Sequence, residues 1–95
     1  MGDRWSSREN LNEHFDKHGE ELGLETKSEY DYAAQDLMCG CDGRRPGVQV
    51  KVDGKTRYYF DPKTGEFGIT GDRGIVTYYR ADKDYFNRQP GTLMP

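Results

Sequence analysis

Cysteine is scarce in this sequence, which limits the metal sites and disulfide bonds that the chain can form. The two cysteines, Cys39 and Cys41, are separated by one glycine. At that spacing a bridge would be strained, and the pair supplies only half of a four-ligand zinc site. No disulfide framework is indicated, so we interpret the pair as reduced thiols in a glycine-rich loop and expect a reducing compartment.

Long apolar runs are also missing. No stretch approaches the roughly 18 apolar residues of a membrane span, and the N-terminal "MGDRWSSREN" has neither a signal-peptide core nor a lipidation motif, so we expect a soluble protein. Only 33% of the 95 residues are hydrophobic, but 13% are aromatic. A single small domain with a thin, aromatic core is therefore expected.

Charge is distributed unevenly along the chain, whose net charge is −3. Residues 1–47 carry 6 lysines and arginines against 11 aspartates and glutamates, a balance of −5, whereas residues 48–95 carry 8 against 6, a balance of +2. A polyanion would therefore meet the second half of the chain.

Two helices are predicted in the first half of the chain. Ser6 and Glu9 have capping-box spacing ahead of apolar residues at helical intervals, which predicts a helix over about 7–18 that Gly19 ends. Thr26 and Glu29 repeat the signal ahead of a second helix over 27–38. A linker loop, "CGCDGRRPG", is predicted over residues 39–47.

From residue 48 the hydrophobic period changes to two, which is typical of strands. The segments "VQVKV", "TRYYF", "EFGIT" and "IVTYYR" are separated by the short turns "DG", "DPKTG" and "GDRG". Connections this brief join antiparallel neighbours, so a four-stranded antiparallel sheet is predicted over 48–80, with a frayed tail over 81–95. The predicted fold is one α+β domain in which two N-terminal helices pack on one face of this sheet.

Alternation along the strands predicts one covered and one open face of the sheet. Two helices cover only one side, so the other side is expected to meet solvent or ligand. An apolar set is assigned to the helices: Val48, Val50, Val52, Tyr58, Phe60, Phe67, Ile69, Val76 and Tyr78. The open face then carries a polar, basic and aromatic set: Lys51, Arg57, Tyr59, Thr70, Thr77 and Tyr79.

The only two histidines, His14 and His18, lie four positions apart and share one face of the first helix. This is the spacing of two zinc ligands in a metalloprotease helix, but Phe15 stands where the catalytic glutamate should follow, and no third ligand is evident. We therefore predict no metal and no cofactor. His18 beside Gly19 also suits a helix C-terminus, where imidazolium interacts well with the dipole. A catalytic role is the third interpretation.

A wider pattern favours catalysis. The segments "HFDKHG", "LETKSEYDYAAQDL", "YYFDPKTGEFGI" and "GIVTYYR" together resemble the ribonuclease-toxin domains of the barnase, EndoU, colicin and RelE superfamily, including those fused to phage Mu F-like head proteins. The resemblance runs from about Leu11 to Arg80 and implies one or two helices on a four-stranded antiparallel sheet. It also implies a bacterial or phage-related toxin that cleaves RNA without metal, either cytoplasmic or delivered into a target cell as part of a larger protein.

The resemblance implies catalytic residues as well: His14, Lys17, His18, Arg57, Thr77 and Tyr79. In the expected reaction a base takes the proton of the ribose 2′-OH, that oxygen attacks phosphorus, and an acid protonates the departing 5′-oxygen. Histidine suits both roles near neutral pH, and a fixed cation such as Arg57 would stabilise the phosphorane. RNA contacts are expected at Tyr59, Lys51 and Thr70.

A noncatalytic function is the alternative. The acidic helices and the lack of an evident basic cleft favour a phage or toxin-system interaction module whose open sheet face docks a protein. Histidines beside Arg57 and Thr77 in a cleft would support the enzyme, and histidines on the outer helix surface would support the module.

The expected partners are RNA and an immunity or antitoxin protein, without a membrane, and the chain is expected to be a monomer.

Overall fold

The fold is α+β, described for residues 5–38 and 46–94 by a computed structural model. This fold class is as predicted, while Cys39, Cys41 and most of the predicted linker lie outside the described residues. None of the described helices is long and apolar enough to cross a membrane. In chain order the elements are α1 (Arg8–His18), α2 (Lys27–Met38), β1 (Gln49–Asp53), β2 (Thr56–Asp61), β3 (Glu66–Gly71), β4 (Gly74–Arg80), α3 (Lys83–Asn87) and β5 (Thr92–Leu93).

Both predicted N-terminal helices are present, and side-chain caps fix where they begin. The Ser7 hydroxyl accepts a hydrogen bond from the Asn10 N–H at 3.0 Å, so α1 is capped one residue later than the predicted Ser6. The capping box of α2 is confirmed, because the Glu29 N–H donates to Thr26 Oγ1 at 3.1 Å while the Thr26 N–H donates to the Glu29 carboxylate at 3.2 Å.

The sheet has the strand order β4-β3-β2-β1-β5, and all its strand pairs are antiparallel. The "DG" turn is confirmed as a tight hairpin whose Gly54 has a φ of +61°. Within residues 5–38 and 46–94 the sheet has five strands rather than the predicted four, because β5 pairs with β1 at one edge. At the other edge a single parallel bridge joins Trp5 to Ile75 of β4, outside the named strands.

The main core lies between the helices and one face of the sheet. α2 packs over β2 and β3, and α1 lies against the edge strand β4. At Gly68 an added Cβ would come within 2.5 Å of the Met38 side chain, so the missing side chain lets α2 approach the sheet closely. The buried residues of this core include Tyr30, Ala34, Leu37, Met38, Val48, Val50, Tyr59, Ile75 and Tyr78.

The predicted faces are correct in β1 but reversed in β2 and β3. Tyr59 belongs to the core beneath the helices, and by alternation Arg57 shares its face. Thr70, the cross-strand partner of Arg57, is on this helix-covered face too. The predicted inward positions Tyr58, Phe60, Phe67 and Ile69 belong instead to a second cluster on the opposite face. Tyr58, Tyr59 and Phe60 are equally apolar, so Arg57 alone decided the predicted faces of β2, and the prediction was off by one residue.

The faces predicted for β4 are correct at three positions and wrong at one. Tyr78 is buried beneath the helices, and Thr77 and Tyr79 lie on the opposite side. Val76, predicted to point inward, is 42% exposed. An irregularity in the pairing of β3 with β4 makes Ile75 the inward residue instead.

The face predicted to be open is covered by the C-terminal segment, which was predicted to be frayed. Asp82 caps α3 by accepting the Tyr85 N–H at 2.8 Å. Phe86 of α3 is fully buried, and its ring lies 5.5 Å from that of Phe60. The ammonium group of Lys51 donates to the carbonyl oxygen of Asn87 at 2.7 Å. The prediction of a frayed tail and an open face is therefore wrong, because α3 buries the aromatic residues that β2 and β3 present there.

Candidate active site

One stripe of α1 faces the edge strand β4 and holds both histidines. Asn10, His14 and His18 recur every four residues, so they share this side of the helix. The Asn10 side-chain amide donates to the Val76 carbonyl at 2.7 Å, which fixes the stripe against the strand. The His18 ring lies 5.0 Å from the Tyr79 ring and 6.0 Å from the His14 ring. The histidines are therefore at the junction of α1 and β4, beside one of the predicted sheet residues.

Each histidine has its Nδ1 atom engaged by an oxygen. The His14 Nδ1–H donates to the Asn10 carbonyl at 2.9 Å, and the His18 Nδ1–H donates to Glu21 Oε1 at 2.5 Å. Carbonyl and carboxylate oxygens only accept hydrogen bonds, so the proton of a neutral ring is assigned to Nδ1. The Nε2 lone pair is then left to accept a proton. The His18 side chain is 25% exposed, which leaves it accessible from solvent.

Glu21 is a member of this site that the sequence prediction missed. Its second carboxylate oxygen accepts the backbone N–H of Arg80 at 3.4 Å, so one side chain joins the turn after α1 to the end of β4. Glu20 and Glu21 are neighbours in "HGEEL", and only the turn geometry selects the second of them. The spacing of three residues from His18 was the available signal.

Tyr79 links the histidine side of the site to α3. Its hydroxyl is hydrogen-bonded to the Tyr85 hydroxyl, and its ring packs 5.4 Å from the Phe67 ring. Burial raises the pKa of the Tyr79 phenol, and the hydrogen bond to Tyr85 adds to this. Tyr79 therefore stays protonated at neutral pH and acts as a hydrogen-bonding group rather than as a base.

Two cations lie next to this junction in the sequence. Lys17 is exposed and precedes His18 on α1, with its side chain leaving the helix about 100° further round. Arg80, which was not among the predicted site residues, follows Tyr79 and is exposed at the end of β4. An added Cβ at Gly65 would lie 3.3 Å from Arg80 Cγ, so the stem of the arginine passes over the β2–β3 turn.

The structure does not bring Arg57 to the histidines. Arg57 is exposed on β2, and β3 separates it from β4, so its backbone lies about 10 Å from that of β4. It also belongs to the face opposite Thr77 and Tyr79. Thr77 shares the face of Tyr79 but is only 7% exposed. The predicted cluster of Arg57, Thr77 and a histidine is therefore not formed.

The three side chains predicted to contact RNA are not displayed on an open face. Tyr59 and Thr70 are buried. Lys51 donates to two carbonyl oxygens at the end of α3, and its ammonium group lies 5.4 Å from the centre of the Phe86 ring. The predicted positions of these side chains are wrong for two reasons, the reversed faces of β2 and β3 and the cover supplied by α3.

Potential metal ligands do not cluster in the part of the chain that the structure describes. No group of three or more histidine, cysteine, aspartate or glutamate side chains there is arranged to hold a metal ion. His14 and His18 instead direct Nδ1 to a carbonyl and a carboxylate oxygen. Cys39 and Cys41, the other pair considered as zinc ligands, lie outside the described residues.

Comparison with known proteins adds no assignment to this geometry. No model of a known protein family matches the chain. A search of curated proteins likewise found no match. Function is therefore inferred from the sequence pattern and from the residues assembled at the α1–β4 junction.

Proposed function

We propose that this protein is an endoribonuclease of toxin type with a barnase-like fold, and that it cleaves RNA by 2′-OH transesterification at the α1–β4 junction. The observation that carries the proposal is the packing of His18 against Tyr79, 5.0 Å between ring centres, with Glu21 bound to Nδ1 of the same histidine. A carboxylate on one ring nitrogen and an accessible second nitrogen suit a general acid–base catalyst. The resemblance implies catalytic roles for the same two residues, His18 and Tyr79.

His18 is assigned the role of general base. Its Nε2 takes the proton from the ribose 2′-OH, and the resulting oxygen attacks the adjacent phosphorus. The P–O bond to the 5′-oxygen then breaks, leaving a 2′,3′-cyclic phosphate on one product. Glu21 stabilises the imidazolium that forms, as a carboxylate on Nδ1 does in other acid–base sites. His14, 6.0 Å away between ring centres, is the candidate acid, which in its imidazolium form gives the Nε2 proton to the departing 5′-oxygen and becomes neutral.

Negative charge on the pentacoordinate phosphorus needs positive groups nearby, and no metal is assigned to that task. Arg80 takes the role that the sequence had suggested for Arg57, because its backbone N–H is bound to Glu21, the partner of His18. Its planar guanidinium matches two phosphate oxygens, and Lys17 adds a second positive charge. Tyr79 is a further hydrogen-bond donor to a nonbridging oxygen when its hydroxyl turns away from Tyr85.

The proposal is tested by incubating the purified protein with RNA in the presence of EDTA. Cleavage is expected to continue in EDTA and to yield fragments with 2′,3′-cyclic phosphate or 3′-phosphate ends, because the 2′-oxygen is the nucleophile. An RNA with 2′-O-methyl groups is the matched control and is expected to resist cleavage. Absence of cleavage by the folded protein, or 5′-phosphate products, would overturn the proposal.

A noncatalytic interaction module is the alternative, and the charge around His18 favours it. Glu21 lies against His18, and its carboxylate opposes the approach of RNA phosphates. A module predicts that the folded protein leaves RNA intact over the full range of pH at which it is stable. The ribonuclease and the module are thus separated by the same cleavage assay. As a ribonuclease, the protein is proposed to act in the cytoplasm as a monomer, and an immunity or antitoxin protein is proposed to inhibit it.

A further inference from the structure

Two adjoining depressions lie along the connection between α1 and α2. The first has a volume of about 520 Å³ and the second about 410 Å³, and Leu24 lines both. Asp16 of the first depression leaves α1 about 200° round the helix from His18, so this side of α1 is separate from the candidate active site. We call this surface the Leu24 groove, lined by Phe15, Asp16, Glu20, Gly23, Leu24, Glu25, Ser28, Glu29, Tyr32 and Ala33.

The Leu24 groove combines an apolar floor with an acidic rim. Leu24 and Phe15 are partly buried against the main core and supply the floor. Four carboxylates belong to the lining, and none of its described residues is a lysine or arginine. The rim is formed by Asp16, Glu20, Glu25 and Glu29, all of them exposed.

Tyr32 is the most exposed of the large hydrophobic side chains in the described part of the chain, at 77%. It lies on α2, whose buried side is formed by Tyr30, Ala34 and Leu37. Packing within the domain therefore gives no reason for an aromatic residue at this position. Exposed tyrosines beside a depression supply much of the binding energy in many protein interfaces, because the ring is large and loses little freedom on binding.

We propose that the Leu24 groove binds a basic segment of a partner protein. In this arrangement one apolar side chain of the segment lies on Leu24 and Tyr32, and its lysine or arginine side chains lie beside Asp16, Glu20 and Glu25. Charge complementarity selects this occupant, because four carboxylates repel RNA and anionic lipid alike. A second copy of this chain has a net charge of −3 and is a poorer match. The docking surface goes beyond the proposed nuclease activity and does not depend on it.

The test is fluorescence anisotropy with three labelled synthetic peptides. The first carries a leucine flanked by arginines, the second has glutamates in place of the arginines, and the third has serine in place of the leucine. Saturable binding of the first peptide is expected, with the other two weaker by about tenfold or more. Equal binding of the first two peptides, or no binding of the first at millimolar protein, would show the proposal to be wrong.

Variants of the protein locate the binding surface. Tyr32→Ala and Glu20→Lys are expected to weaken binding of the arginine peptide by about tenfold each, or about 1.4 kcal/mol, while keeping the fold and any RNA cleavage. Asp72→Lys makes a similar charge change in the exposed β3–β4 turn and is expected to leave binding unchanged. Equal affinity of Tyr32→Ala, Glu20→Lys and the wild type would exclude the Leu24 groove.

Other occupants give different results in the same set of variants. RNA or anionic vesicles that bind the wild type but not Tyr32→Ala would assign the Leu24 groove to a polyanion and overturn the proposal. A dimer in sedimentation experiments that Tyr32→Ala converts to a monomer would assign it to a second copy of the chain. The proposal requires neither effect, and RNA cleavage by Tyr32→Ala at the wild-type rate would show that the two functions are separate.

Discussion

Nδ1 of His18 lies 2.5 Å from Oε1 of Glu21, across the turn that follows α1. The other oxygen of the same carboxylate accepts the backbone N–H of Arg80. One acidic side chain therefore sets the orientation of the histidine ring and ties it to the end of β4. The proposed chemistry depends on this link, because a general base must be held within hydrogen-bond reach of the proton that it removes.

Replacing Glu21 with Gln is expected to slow RNA cleavage by about 10²-fold, because the neutral amide stabilises the His18 imidazolium less well. The fold is expected to persist, since the Glu21 carboxylate and the His18 ring both lie at the surface. Initial rates of cleavage and thermal unfolding measured on the same samples separate the two effects. Glu20→Gln is the matched control, and cleavage by Glu21→Gln at the rate of that control would exclude the positioning role of Glu21.

Arg80 and Arg57 are compared as the proposed catalytic cation and its matched control. Arg80→Ala is expected to reduce the cleavage rate by about 10²–10³-fold, the usual cost of losing one charged group aimed at the transition state. Arg57→Ala is expected to cleave RNA at close to the wild-type rate, because Arg57 lies two strands away on the other face. The reverse result would restore Arg57 as the catalytic cation and remove Arg80 from the site.

Alkaline pH is expected to destabilise the protein through its buried tyrosines. Burial, followed by the charge of Glu21, raises the pKa of the Tyr30 phenol above its ordinary value of 10.0, and burial does the same for Tyr79. Above about pH 10 the unfolded chain loses protons that the folded protein keeps. The free energy of unfolding therefore keeps its maximum contribution from these tyrosines below that pH and decreases above it.

The expected slope is about 1.4 kcal/mol per pH unit for each such proton. Urea unfolding between about pH 8 and pH 12 measures it. In Tyr79→Phe, which keeps the ring against His18, the alkaline decline is expected to be shallower than in the wild type. An unfolding free energy that stays constant from about pH 9 to pH 11 would contradict the account.

Phe86 tests whether the C-terminal segment is part of the fold. Its ring is fully buried against Phe60 in the cluster that α3 completes, so Phe86→Ala is expected to lower the free energy of unfolding by about 3–5 kcal/mol. Urea unfolding is the measurement, with the exposed neighbour Asn87→Ala as the control. A loss of less than about 1 kcal/mol would mean that α3 is a loosely attached tail.

The positions of the two N-terminal helices and of the four predicted strands could be predicted from the sequence, because local signals determine them. Thr26 and Glu29 form the capping box that their spacing indicated, and the turn at Gly54 is where "DG" placed it. The faces of β2 and β3 could not be predicted from period alone. Tyr58, Tyr59 and Phe60 are consecutive aromatic residues, and only contact with α2 or α3 decides which of them point which way.

The candidate site was predictable only in part. His18 and Tyr79 were both selected from sequence patterns, and they contact each other across the α1–β4 junction. Glu21 was missed because its spacing of three residues from His18 falls in a turn past the end of α1, and Arg80 was missed because it joins through a backbone hydrogen bond that no spacing rule specifies. α3 was missed because five residues with one Asp82 cap give little helical period.

The proposed ribonuclease activity depends on His18 at the α1–β4 junction, and it is tested by the cleavage rate of His18→Gln in EDTA. The expected rate is about 10²–10⁴-fold below that of the wild type at neutral pH, because a glutamine amide cannot accept the 2′-OH proton. Circular dichroism and urea unfolding are expected to match the wild type. Cleavage by the folded His18→Gln protein at the wild-type rate would contradict the account.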